Sequence, residues 1–130
     1  MIKVVKINLK NLFSKATSFA RVVVFPYPTD VYYVQDSMSV YLPSVIAEFY
    51  LNEFGYGEFQ VVPNDLIEPK PNFYVVRIIY NGKYYYFVIN VKSTHPDLVD
   101  LKNVVVKTIP SRKKICEAKS FKIELGDIYV

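Results

Sequence analysis

The sequence predicts an α+β domain: a mainly antiparallel sheet around a central long β-hairpin at residues 73–92, accompanied by two or three helices. Three observations carry this expectation. Asn81-Gly82 separates two long apolar runs, and that dipeptide tolerates the paired positive φ angles of a type I′ turn. Two amphipathic stripes at helical spacing precede the hairpin. Just over half of the 130 residues are hydrophobic (52%), with twelve Tyr and nine Phe, which is enough to fill a core without metal or disulfide staples.

Taken in chain order, Ile2, Val4 and Ile7 suggest a short first strand. Leu9, Leu12, Phe13, Ala16 and Ala20 then recur at helical spacing, with Lys10, Asn11, Ser14, Lys15 and Ser18 on the other side. Val22 to Phe25 is a β-branched run stopped by Pro26 and Pro28, and Val31 to Val34 reads as a further extended piece. A second helix is expected from the stripe Leu42, Val45, Ile46, Phe49 and Tyr50. Pro43 suits its first turn, and Gly55 suits its C-terminal stop. Glu58 to Val62 returns to extended structure before a proline-rich surface loop that runs from Pro63-Asn64-Asp65 through Pro71.

Counting back from a two-residue turn places Tyr74, Val76, Ile78, Tyr85, Phe87 and Ile89 on one hairpin face, which is read as core. Phe73, Val75, Arg77, Ile79, Tyr84, Tyr86, Val88, Asn90 and Lys92 share the other, with Arg77 directly across from Tyr86. Coverage by one of the chain's own helices is the default for that aromatic face, a second subunit or a ligand the alternatives, and Arg77, Tyr84 and Tyr86 are its candidate interaction residues. Ser93 to Asp97 is expected to open a short helix, Val104 to Ile109 to form a strand, Ser111 to Lys119 a basic helical turn or loop, and Phe121 to Leu125 a closing strand. No repeat or low-complexity stretch divides the chain, so residues 1–130 are read as a single domain.

The net charge of +4 is segregated. Met1 to Arg21 holds five basic residues and no acid, Val22 to Pro69 seven acids and no base, and Lys102 to Lys122 seven basic residues against Glu117 alone. Nucleic acid is one partner that such basic ends suit, with Arg112, Lys113 and Lys114 the candidate contacts. Cys116 is the only cysteine, which excludes an intramolecular disulfide and a Cys-based zinc site. Met1 to Lys6 lacks the apolar length of a signal peptide and no run is long enough to span a bilayer, so a cytoplasmic location is expected, with no membrane partner.

Catalytic signatures are sparse. Glu48, Asp65 and Lys92 occur in the order of a restriction-endonuclease-like metal site, where carboxylates hold Mg²⁺ and the Lys assists the attacking water. The pattern departs at Asn90, which stands in Asn90-Val91-Lys92 where a second carboxylate belongs. Asp65 as a turn residue and Lys92 as a strand-end charge is the preferred account of both. His95 is the only histidine, and no glycine-rich phosphate loop exists among four glycines. Cys116 lies among Arg112, Lys113, Lys114 and Lys119 without a neighbouring His to activate it. The reading is a binding protein rather than an enzyme, with no metal and no cofactor.

The stretch Asn72 to Lys92, with Tyr84-Tyr85-Tyr86 after Asn81-Gly82, together with abundant Tyr, Ile, Val and Lys, no Trp and a single Cys, resembles small proteins encoded by viruses of hot-acid archaea. It is similar to rudivirus proteins of Sulfolobus hosts, including a family of unknown function that contains an inhibitor of type III CRISPR defence. The resemblance carries no catalytic motif. It implies a thermophilic viral protein, active in the host cytoplasm, that binds a host protein or ribonucleoprotein complex, with a homodimer compatible with that role.

Overall fold

A computed structural model describes residues 1–10, 19–80 and 82–111. The expected α+β class is overturned. Of the described residues, 55% are strand and 8% helical, and no helix reaches seven residues. Ten strands account for the architecture: β1 (Lys3–Asn8), β2 (Arg21–Tyr27), β3 (Tyr32–Gln35), β4 (Met38–Tyr41), β5 (Ala47–Tyr50), β6 (Tyr56–Val61), β7 (Phe73–Tyr80), β8 (Lys83–Ile89), β9 (Leu98–Asp100) and β10 (Val105–Ser111). They form a five-stranded sheet in the order β10-β8-β7-β2-β5, a three-stranded sheet in the order β6-β1-β9, and the separate hairpin β3-β4.

The central hairpin is as expected. Arg77 pairs with Tyr86 and Tyr80 with Lys83, and Gly82 has φ of 72°. One face supplies Tyr74, Val76, Ile78, Phe87 and Ile89 to the main core, where they meet Val5, Ile7, Phe59 and Val61 of the three-stranded sheet. The two sheets therefore bury one common apolar layer. Where β6 passes the end of β5 the approach is close. A Cβ at Gly57 would lie 2.7 Å from Leu51 Cδ2 and 2.8 Å from a Phe49 ring carbon, so a larger residue there would force one of those side chains to shift.

The expected second helix is a loop and an edge strand. Ala47 to Tyr50 pairs antiparallel with β2, with Ile46 N–H donating to Val24 O at 2.7 Å and Leu51 N–H to Ala20 O at 2.8 Å. Over four residues Ala47 and Phe49 turn to the core while Glu48 and Tyr50 face solvent, a period of two. The stripe from Leu42 to Tyr50 matched a helical period because Phe49 satisfies both spacings. Its β-branched and aromatic content, and the open edge of β2, favour the strand.

The helix expected to open at Ser93 is likewise absent. Residues 93–97 form a turn in which His95 N–H donates to Lys92 O at 3.0 Å and His95 Nδ1 accepts the Lys92 N–H at 2.9 Å. Buried Lys3 pins this turn to β1, donating to His95 O at 2.7 Å and to Asp97 Oδ1 at 3.1 Å. β9 then lies parallel to β1, and Asp100 caps a single 3-10 turn at Leu101–Asn103 by accepting the Lys102 N–H. In β1 the inward set is Lys3, Val5 and Ile7, so Ile2 is exposed rather than part of the strand's apolar face. β2 runs on through Pro26 to Tyr27, beyond the point where β5 stops accompanying it at Val24. The expected first helix falls largely on 11–18, outside the described residues. The expected closing strand and the basic turn after Ser111 also lie outside them.

Candidate functional site

Return of the hairpin to the 3-10 turn Asn64–Leu66 creates a cleft of about 540 Å³ lined by Asn64, Asp65, Lys70, Pro71, Asn72, Phe73, Asn90, Lys92 and Thr94. Its geometry begins with Val91, which is fully buried. Asn64 holds Val91 on both sides: its backbone N–H donates to Val91 O at 2.6 Å, and its side-chain Oδ1 accepts the Val91 N–H at 2.8 Å. Because extended backbone alternates, fixing Val91 inward aims Asn90 and Lys92 the other way, into the cleft. Asn64 Nδ2 donates to Asn72 Oδ1 at 3.0 Å, and Asn72 Nδ2 donates to Ile67 O and Pro69 O at 2.9 and 3.2 Å. The loop and the strand exit thus share one buried amide network. Below it, Tyr74 donates its hydroxyl to Val62 O at 2.6 Å, and burial pushes its phenol well above the usual range.

Asp65 and Lys92, paired in the nuclease reading, do line one cleft. Asp65 is already engaged: its carboxylate accepts the Ser93 N–H at 2.9 Å and the Ser93 hydroxyl at 2.5 Å. Partial burial acts to raise its pKa, but the two Ser93 bonds and nearby Lys70 outweigh that and hold the carboxyl below its ordinary value. Glu48 does not line the cleft. It stands on β5, paired with Arg21 on β2, and the hydrogen bond from that guanidinium holds its carboxyl low. No group of three His, Cys, Asp or Glu that would hold a metal ion is present among the described residues. The chain's own ligands therefore give the nuclease reading one acid in the cleft and an amide, Asn90, beside it.

The depressed Asp65 pKa has a definite sign. A carboxylate with a folded pKa below its unfolded value stabilises the fold at pH above the unfolded value, about 4, and the gain disappears as pH falls through the folded value. The stability difference between the parent and Asp65→Ala should therefore be constant near neutral pH and narrow below about pH 4, as read by urea unfolding at a series of pH values. A difference that widened on acidification would mean that Asp65 is protonated in the native turn.

The second hairpin face is not a presented surface at its centre. Tyr86 is fully buried in a cluster with Phe73, Val75, Val88 and Ile109, all from the five-stranded sheet. Tyr84 is half-buried at the edge of that cluster, and Arg77 is half-buried with its Nε enclosed and without a hydrogen-bond partner among the described residues. Of the three candidate interaction residues, Tyr86 is thus corrected to core. Its cross-strand alignment with Ile109 and Arg77 in a packed sheet is the reason. Arg112, Lys113, Lys114 and Cys116 lie outside the described residues.

One exposed element is only half legible in the sequence, which marks Val31 to Val34 as extended but not the hairpin it forms. β3 and β4 form a separate hairpin whose two turn residues, Asp36 and Ser37, both have positive φ, 50° and 65°. Tyr32, Val34, Ser39 and Tyr41 share its outer side. Val34 and Tyr41 are 64% and 63% exposed, and Met38 near the tip is 69% exposed. Tyr32 and Tyr41 are directly paired, with ring centroids 5.2 Å apart. The equal extended arms around Asp36-Ser37 were its only sequence signal, and Asp-Ser marks a type I′ turn far more weakly than Asn-Gly does.

Fold and sites together define a β-rich domain with an exposed aromatic hairpin and a polar cleft. No protein-family model matches the chain, and neither curated proteins nor solved structures provide a match. No helix of the described residues is long and apolar enough to cross a membrane.

Proposed function

We propose that the chain is a non-enzymatic binding protein that docks on a host protein or ribonucleoprotein surface in the cytoplasm, the role that a resemblance to small rudivirus proteins, among them a family containing an inhibitor of host defence, would imply. The observation that supports this reading is the β3-β4 hairpin. A two-stranded ribbon separate from the larger sheets has little stability of its own, and solvated Val34 and Met38 add nothing to it. Apolar side chains gathered on such an element are accounted for by a partner that covers them. Exposed acids surround the hairpin: Asp36 at its turn, Asp30 before it, and Glu68, which bridges Tyr32. They belong to the long stretch without a basic residue, so the partner that fits has an apolar groove rimmed by basic side chains. This is the acidic-surface mode of binding, as opposed to contact with nucleic acid through the basic ends.

Affinity capture from an archaeal lysate, after nuclease treatment and at two salt concentrations, tests it. Parent protein should recover a defined protein complex that a Val34→Ser/Met38→Ser protein of unchanged thermal stability loses by at least about tenfold, since even partial burial of two apolar side chains is worth more than about 1.4 kcal/mol. Disappearance of all partners on nuclease treatment, or equal recovery by parent and variant, would refute the hairpin as the docking element. The first of those outcomes would move the assignment to nucleic acid and the basic residues Arg112, Lys113 and Lys114.

A further inference from the structure

We propose that the cleft between the Asn64–Leu66 turn and the exit of β8 is a binding site for a nucleoside phosphate, distinct from the docking hairpin. Asn90, Lys92 and Thr94 stand at alternating positions, all three side chains line the cleft, and none has a hydrogen-bonding or ionic partner among the described residues. The backbone that carries Asn90 and Lys92, by contrast, is fixed. Asn90 N–H donates to Val104 O at 3.0 Å, Val91 is held on both sides by Asn64, and Lys92 is bound at both N–H and C=O by His95. Fixed backbone with unengaged polar side chains is the arrangement of a pre-organised site, in which binding does not have to order the chain first.

The chemistry of the lining selects the ligand class. Lys92 supplies a full positive charge and Thr94 a hydroxyl that donates, a pair suited to phosphate oxygens. Lys70 adds a second cation at the wall, its ammonium 2.5 Å from Glu68 Oε1. Asp65, the one acid in the lining, already accepts two hydrogen bonds from Ser93 and sits near Lys70, which lessens its repulsion of an anion. The Asn90 amide offers both donor and acceptor groups, as pairing with the edge of a base requires. Pro71 and Phe73 give the cleft an apolar wall against which a flat ring packs, and a volume of about 540 Å³ lies within the range of small-ligand sites. A bare anion would use the cations and leave the apolar wall and Asn90 unmatched.

The test is a titration of the full chain, followed by amide chemical shifts, with AMP, adenosine, inorganic phosphate, and a short oligonucleotide bearing either a 5′-phosphate or a 5′-hydroxyl. AMP should produce saturable shifts at residues 90–94, with adenosine and phosphate each at least about tenfold weaker. Lys92→Met should weaken AMP about tenfold while leaving the spectrum outside the cleft and the unfolding midpoint unchanged, and Asn90→Leu should weaken AMP but not phosphate. Phosphorylated oligonucleotide binding as tightly as AMP would identify the source as a strand end, whereas AMP alone would identify a free nucleotide, and both support the site. No saturable shift with any nucleotide, phosphate equal to AMP, or AMP affinity indifferent to Lys92→Met would overturn it.

Discussion

Tyr86→Ala is expected to cost about 3–5 kcal/mol, the range for deleting a large aromatic ring from a packed core. Tyr86 is fully buried, and its neighbours Phe73, Val75, Val88 and Ile109 are all within 6% of complete burial. Those four come from three adjacent strands whose ladders hold them in place, so the structure can relax only partly into the space left. Urea unfolding should show a large drop in midpoint with little change in slope, and Tyr86→Phe, which keeps the ring, should lose far less. A ring serving as a solvent-facing contact behaves differently. Its truncation would move stability by no more than about 0.5 kcal/mol and would reduce partner recovery instead. The same measurement on Val34→Ser should give that second pattern, since Val34 is mostly solvated on the β3-β4 hairpin. Comparing the two variants separates the aromatic face that builds the fold from the one available to a partner.

The contrast between these two faces also marks what the sequence could convey. The central hairpin was legible because its turn dipeptide, strand lengths and alternation all act within twenty residues, and one register follows from a two-residue loop. Arg77 opposite Tyr86 and the inward set from Tyr74 to Ile89 follow from that register alone. The stripe from Leu42 to Tyr50 misled because Phe49 and Ile46 satisfy a helical spacing, while the decisive contact is the edge of β2 more than twenty residues earlier. Local spacing cannot register an open edge elsewhere in the chain. The aromatic face of the hairpin was correctly seen as apolar, but alternation gives only the side on which Tyr86 lies, and whether that side is covered depends on the rest of the fold. The β3-β4 turn was missed because Asp36 and Ser37 adopt positive φ without glycine, against ordinary preference.

The cleft was partly legible. Asp65 and Lys92 were singled out from their order in the chain, and they do share a wall. What gathers them is the hairpin itself, which carries β8 back to the loop that precedes β7. The metal chemistry expected of them does not follow, since Glu48 is paired with Arg21 on the other sheet edge and Ser93 occupies the Asp65 carboxylate. Asn64 and Asn72 gave no signal in the sequence, where Asn beside Pro reads as ordinary turn chemistry. Their role depends on Val91, a valine 27 residues beyond Asn64.

That dependence makes Asn64 the residue whose loss should couple stability to the cleft. Asn64→Ala removes the acceptor of the Val91 N–H and the donor to Asn72 Oδ1, leaving two buried polar groups unpaired at about 1–3 kcal/mol each. A total of about 3–4 kcal/mol is expected, corresponding to a fall of roughly 10 °C in Tm for a chain of this size. Asn72→Ala also breaks the bond between the two amides, so the double variant should cost less than the sum of the singles: the Asn72 oxygen orphaned in one single variant is absent from the double. The non-additivity should be about 1 kcal/mol, measured by a double-mutant cycle in urea. Amide hydrogen exchange supplies the local readout. The Val91 N–H should exchange much faster in Asn64→Ala than in a variant of comparable global stability loss made in the main core, such as Ile78→Ala, because only the former opens the strand exit locally. Equal protection of Val91 in the two variants would show that the β8 exit is held by the sheet alone, and that Asn64 is not what aims Asn90 and Lys92 into the cleft.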